Sequence, residues 1–143
     1  MITNLKETLR TFDGDILYDE TDLKFKSNQY KNISRSFKKW DVYWAAVGFE
    51  DDEKYFKIRP VIILKEENKN TFKVLQCSSV KKSNRYPLRD YLNLGLKKPT
   101  YVVYDKEELI LKNYIFEAVN KPLSKEDKRN IENLLMNLEE NSL

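Results

Sequence analysis

The sequence predicts a small, mainly β domain closed by a C-terminal helix, and three observations carry that reading. Short runs of aromatic and β-branched residues recur between residues 40 and 119, separated by polar stretches. Near the end, Ile131, Leu134, Leu135 and Leu138 repeat at helical spacing behind Ser124-Lys125-Glu126-Asp127, a capping box with Asp in the Glu position. The 143 residues, 41% hydrophobic and 34% charged, have the composition of a soluble globular chain with room for one real core.

The elements follow in order. Trp40 to Val47 is aromatic and β-branched, apolar on both faces, and stops at Gly48. Phe49 to Tyr55 is an acidic loop. Ile58 to Leu64 is a second strand, with Pro60 near its start, where a missing donor is tolerated. Asn68-Lys69-Asn70 turns the chain into a third strand, Phe72 to Cys77. Ser78 to Lys98 is a long basic loop broken by Pro87 and Gly95. Thr100 to Tyr104 and Tyr114 to Val119 complete five strands, and five short strands plus a helix in about 100 residues suggest a small barrel.

The first 38 residues read differently. Leu5, Leu9 and Phe12 form one helical stripe, with Thr3 or Asn4 as cap and Asp13-Gly14 as terminator. Beyond Gly14, Ile16, Leu17, Leu23, Phe25, Ile33 and Phe37 are sparse and keep no clean period, so 15–38 reads as a partly ordered arm. The expected division is a partly helical extension over 1–38 and a barrel domain over 39–143.

Composition excludes several chemistries. The chain has no histidine, which removes the Ser-His-Asp triad, Cys-His catalysis and histidine metal sites. Cys77 is the single cysteine, so neither an intrachain disulfide nor a cysteine zinc cluster can form. No metal and no cofactor is expected. No secretion signal or membrane-length apolar run is present, and a cytoplasmic location is expected. The net charge is only +3, but residues 73–98 hold seven basic residues against one acid, Asp90. That local +6 fits a polyanion, because clustered Lys and Arg displace counterions from phosphates; it also fits a solvated basic loop.

Three stretches in order resemble the PemK/MazF family of toxin endoribonucleases. Asp41-Val42-Tyr43-Trp44 is similar to the family's opening strand, Arg59-Pro60-Val61-Ile62-Ile63-Leu64 to its Arg-Pro second strand, and Val74-Leu75-Gln76-Cys77-Ser78-Ser79 to a strand ending in two hydroxyls before a basic stretch and Tyr86-Pro87. Gly95 to Val102 and Leu123 to Asp127 resemble later family blocks, so the likeness spans roughly residues 39–140. There are departures. Lys39-Trp40 stands where the family has Gly before Asp41. The first loop, Glu50-Asp51-Asp52-Glu53-Lys54-Tyr55, lacks the usual Gly-Ser-Glu-Gln-like stretch, with Glu53 one position out of register.

The resemblance implies an SH3-like barrel of the CcdB/MazF type, usually a homodimer, that cleaves single-stranded RNA without metal. It implies Arg59 and Ser78 as the catalytic pair, with Ser79 the adjacent hydroxyl. Lys81, Lys82 and Arg85 are expected on the RNA backbone, and Tyr55 or Tyr86 stacked on bases. The implied protein partner is a small acidic antitoxin whose disordered tail folds onto the basic groove.

RNA carries its own nucleophile, the 2′-hydroxyl. The enzyme must align it with phosphorus, stabilise a phosphorane-like state and manage two protons. A guanidinium stays charged and holds two phosphate oxygens at once. Ser78 can donate to the same phosphate or to the leaving oxygen. The products expected are a 2′,3′-cyclic phosphate and a 5′-hydroxyl; Glu53 is one candidate for the general base.

Plainer readings exist for each residue. Arg59 fits a structural ion pair with Glu50 to Glu53. Ser78 and Ser79 can simply end a strand, Tyr55 and Tyr86 can be buried in a dimer, and Cys77 reads as a small buried hydrophobe. The same barrel can also grip a protein or nucleic acid without nuclease chemistry, as a CcdB-like toxin or regulatory module.

Overall fold

The structure is a computed structural model that describes residues 17–24, 37–48, 54–119 and 121–141. Among the described residues six strands form one antiparallel sheet: β1 (Val42–Gly48), β2 (Phe56–Asn68), β3 (Thr71–Ser78), β4 (Tyr86–Pro87), β5 (Tyr101–Leu111) and β6 (Ile115–Ala118). Their spatial order is β4-β5-β3-β2-β1-β6. A 3-10 turn over Lys112–Tyr114 joins β5 to β6, and helix α1 (Lys125–Asn141) closes the chain.

The centre of the sheet is buried on both faces. Val42, Trp44, Ala46, Ile58, Ile62, Leu64, Leu75, Cys77 and Val102 share a core with Leu123 and Ile131, the latter from α1. Alternate residues Ala45, Val47, Val61, Ile63, Phe72, Val74 and Ile110 build a second core on the opposite face. Period-two alternation places neighbours on opposite faces, so continuous apolar runs such as Pro60–Leu64 supply both cores at once.

Two strands extend further than the sequence suggests. β2 runs past Leu64 to Asn68, and β5 runs past Tyr104 to Leu111. Their charged ends are held by pairing to β3, from Glu66↔Phe72 and Asn68↔Thr71 to Thr71↔Leu111. Lys73 bridges Glu67 at 3.1 Å and Glu107 at 3.2 Å, and Gln76 donates to Glu108 at 3.1 Å. Those two carboxylates raise the Lys73 ammonium above its ordinary range, while Lys73 and Lys65 lower Glu67. Cross-strand pairs thus replace the missing apolar signal. The expected turn over 68–70 is present, with the Asn70 N–H donating to Asn68 Oδ1 at 3.0 Å.

The first strand begins later than Trp40. Trp40 lies in a turn with φ 78°, its N–H donating to the Ile63 carbonyl at 2.7 Å. This left-handed conformation suits glycine and strains other residues. Trp40 occupies it because its ring is buried against the core, with the ammonium groups of Lys39 and Lys128 5.4 and 6.0 Å from the ring centre.

The described part of the N-terminal segment joins the barrel. Tyr18 forms a bridge with Phe56, the two backbones exchanging hydrogen bonds of 2.9 and 2.8 Å, and a helical turn at 20–24 buries Leu23 completely. The stripe Leu5-Leu9-Phe12, its caps and terminator, Ile16, Phe25 and Ile33 lie outside the described residues, as do residues 49–53 of the acidic loop.

Candidate functional site at the end of β3

The ladder between β2 and β3 stops at Val61↔Gln76. Beyond it the strands part: Arg59 pairs with Ala45 of β1, and Ser78 pairs with Tyr101 of β5. Arg59 is two residues past Val61 and Ser78 two past Gln76, so both side chains leave the same face of the sheet on either side of this opening. That face belongs to the second core.

The two residues differ in freedom. Arg59 is only 8% exposed, and its Nη1 donates to the Ile58 carbonyl at 3.1 Å. Ser78 is half-buried at the strand end. Its Oγ accepts the Val80 N–H at 3.1 Å and Arg85 Nη1 at 3.1 Å. A serine hydroxyl has two lone pairs and one proton. Both lone pairs are taken, so Ser78 is left as a donor.

The basic loop is built around this point. A turn is closed by Arg85 N–H on the Lys82 carbonyl at 3.1 Å, and Arg85 Nη1 also donates to the Val80 carbonyl at 2.7 Å. Lys81 and Lys82 are exposed and make no ion pair among the described residues; Ser79 is half-buried beside them. Tyr55 is 38% exposed, just ahead of β2. Glu53 lies outside the described residues.

Beyond Arg85 the loop is tied down by strand pairing and by side-chain bonds. Tyr86 and Pro87 pair with Val102 and Tyr101, which the sequence had suggested only as loop. The Tyr86 hydroxyl donates to Asp127 Oδ1 at 2.6 Å and accepts from Asn130 Nδ2 at 3.0 Å. Asp127, fully buried, also accepts the backbone N–H groups of Arg89 at 3.1 Å and Asp90 at 3.2 Å. Burial first, then the Asp127 carboxylate, push the Tyr86 phenol up to about 12.

This corrects the expected role of Asp127. The Ser124 half of the capping box forms, with the Asp127 N–H donating to Ser124 Oγ at 3.1 Å. The Asp127 carboxylate, one methylene shorter than Glu, is spent instead on the 86–90 segment. Nothing local in the sequence announces this, because the partners lie 37 to 41 residues apart. Cys77 is buried in the first core, and burial pushes its thiol up to about 12, so it packs as a hydrophobe and is no nucleophile.

No protein-family model matches the chain, and no curated protein matches it in sequence. Among solved structures, the Mycobacterium tuberculosis toxin MazF-mt6 is similar in fold: TM-score 0.53 and 18% identity, over 68% of this chain and 93% of that one. The chain therefore has the mainly β, MazF-type barrel fold, with six antiparallel strands and a C-terminal helix. Among the described residues, no helix is long and apolar enough to cross a membrane.

Proposed function

We propose that this chain is a toxin endoribonuclease that cleaves single-stranded RNA by attack of the 2′-hydroxyl on the adjacent phosphodiester, without metal. The observation that carries the reading is the placement of Arg59 and Ser78 on one sheet face, flanking the opening where β2 and β3 part, in a MazF-type fold. In this reading Arg59 neutralises the pentacoordinate phosphate and Ser78 donates its one remaining hydrogen bond to a phosphate or leaving oxygen. Ser79, Lys81, Lys82 and Arg85 hold the RNA backbone, and Tyr55 stacks on a base.

The protein acts in the cytoplasm as a homodimer, restrained by a small acidic antitoxin. Residues 1–38 extend the barrel domain of 39–143, fastened to it through Tyr18 and Leu23. The test is cleavage of single-stranded RNA by the purified protein in EDTA. Arg59→Ala is expected to lower the rate by about 10²–10³, the scale of losing one preorganised donor, with the circular dichroism spectrum retained. Loss of wild-type cleavage in EDTA overturns the metal-free mechanism.

One observation favours a second reading. The Arg59 guanidinium is almost wholly covered and bonded to its own strand, as in a barrel that binds a protein or nucleic acid without cutting. Growth inhibition that survives Arg59→Ala combined with Ser78→Ala decides for that alternative.

A further inference from the structure

Of the guanidinium groups near β3, the one bonded to the Ser78 hydroxyl is that of Arg85, from the loop. We infer that Arg85 is a catalytic residue of the reacting phosphate, acting beside Ser78, and that the Tyr86–Asp127 hydrogen bond is the device that holds it there. The inference rests on the endoribonuclease reading, and it moves Arg85 from general backbone contact to the bond that breaks.

Donor accounting supports this. Both protons of Arg85 Nη1 are used, on Ser78 Oγ and the Val80 carbonyl. Its Nε and Nη2 carry three more N–H groups with no acceptor among the described residues, and a guanidinium presents such donors as a planar fork matched to two phosphate oxygens. The one remaining donor of Ser78 sits within a hydrogen bond of the same cation. A half-buried Arg in contact with a hydroxyl whose acceptor capacity is full is an arrangement for receiving an anion.

The loop around it tells the two kinds of cation apart. Lys81 and Lys82 are exposed point charges without partners among the described residues, suited to screening a mobile backbone. Arg85 is fixed at both ends: by its own bonds to Ser78 and Val80, and by the next residue, Tyr86, which is tied to Asp127, Asn130 and Val102. Arg59, covered and bonded to Ile58, is poorly placed to supply all the charge a phosphorane needs.

In the step, the 2′-oxygen forms a bond to phosphorus and the bond from phosphorus to the 5′-oxygen breaks. Arg85 donates to the non-bridging oxygens as their charge grows and transfers no proton. The 2′ proton is released to water, and the 5′-oxygen takes one back from it.

The test uses a single-stranded RNA in EDTA and its fully 2′-O-methylated counterpart, which binds but has no nucleophile. Arg85→Lys keeps the charge and removes the fork. It is expected to lower kcat about 100-fold while the Kd for the methylated strand stays within about threefold, the signature of a contact made in the transition state. Combining it with Ser78→Ala is expected to cost little beyond the worse single variant, because the two act on one phosphate. Tyr86→Phe, which severs the bond to Asp127 and keeps the ring, is expected to lower kcat about tenfold with Kd held; an unchanged kcat there removes the positioning role. If Arg85→Lys weakens Kd and spares kcat, Arg85 is a backbone contact and the inference falls while the nuclease reading stands. A wild type that cuts no RNA overturns both.

Discussion

The site has two sides held by different means. On the sheet side, Arg59 sits in β2, bounded by backbone ladders and two apolar cores. On the loop side, Ser79 to Asp90 is placed by side-chain bonds: Arg85 to Ser78 and Val80, and Tyr86, Arg89 and Asp90 to one carboxylate of α1. Ladders and cores are redundant, since losing one bond leaves the others. The loop has fewer supports: besides the two-residue pairing of β4 to β5 and the buried Tyr86 and Leu88, its side-chain bonds converge on Asp127. The sheet side should therefore tolerate polar changes and suffer from lost volume, whereas the loop side should loosen first when its shared carboxylate is removed.

Trp40 tests the first half of that contrast and carries the largest effect. Its ring caps the first core at the turn that hands the chain to β1. Trp40→Ala is expected to cost about 3–5 kcal/mol, the range for emptying a buried aromatic site. At φ 78° the Ala Cβ remains strained, and a left-handed non-glycine residue costs roughly 1–2 kcal/mol. Trp40→Gly is therefore expected to be more stable than Trp40→Ala by about 1 kcal/mol, reversing the usual order of these two residues. Urea unfolding of both variants measures the difference; an Ala variant at least as stable as the Gly variant removes the strain.

Asp127→Ala tests the other half. It strands two backbone N–H groups and leaves the Tyr86 hydroxyl with Asn130 alone. The expected cost is about 3 kcal/mol, since hydrogen bonds to a charged group contribute about 1.5–3 kcal/mol each and water re-enters part of the gap. Hydrogen exchange is expected to rise at residues 86–90 well before it rises in β2 and β3. Equal acceleration in both regions contradicts the separation drawn here.

A smaller effect appears in alkali. The folded Tyr86 phenol titrates near 12, above its ordinary value of 10.0. Its contribution is complete below about pH 10 and is lost as pH rises toward 12, when the phenolate would face Asp127. Wild-type stability is expected to fall by on the order of 1–2 kcal/mol more than that of Tyr86→Phe over this window. Parallel pH curves for the two proteins would leave the bond to Asp127 without energetic weight.

These regions also differ in how far the sequence discloses them. β1 and the middle of β2 are legible because burial on both faces demands a continuous apolar run, and residues 42–47 and 60–64 supply one, while β3 shows through Phe72, Val74, Leu75 and Cys77 on either side of Lys73 and Gln76. The far ends of β2 and β5 are not, because Lys73 pairs across strands with Glu67 of β2 and Glu107 of β5, and single-strand patterns do not record pairing. Ser78 and Arg59 are readable as positions in motifs. Their environments are not: that Arg59 is covered, and that Arg85 reaches Ser78, depends on how a seven-residue excursion folds back. Asp127 looked like a cap because its local spacing fits one; tertiary partners took the carboxylate instead.

The smallest effect separates the cations of the loop. If Lys81 and Lys82 contact RNA only as charges, replacing both with Ala is expected to flatten the slope of log affinity against log salt by about 1.4, since each phosphate neutralised on a single strand contributes about 0.7. Affinity should weaken uniformly across RNA sequences, because a point charge on a flexible stem reads no base. Arg85→Lys, which keeps its charge, is expected to leave that slope unchanged. Binding of the 2′-O-methylated strand, measured from 50 to 300 mM salt (concentrations typical of such titrations), gives all three slopes. A slope that is unchanged in the double lysine variant would leave Lys81 and Lys82 as solvated charges without a phosphate contact.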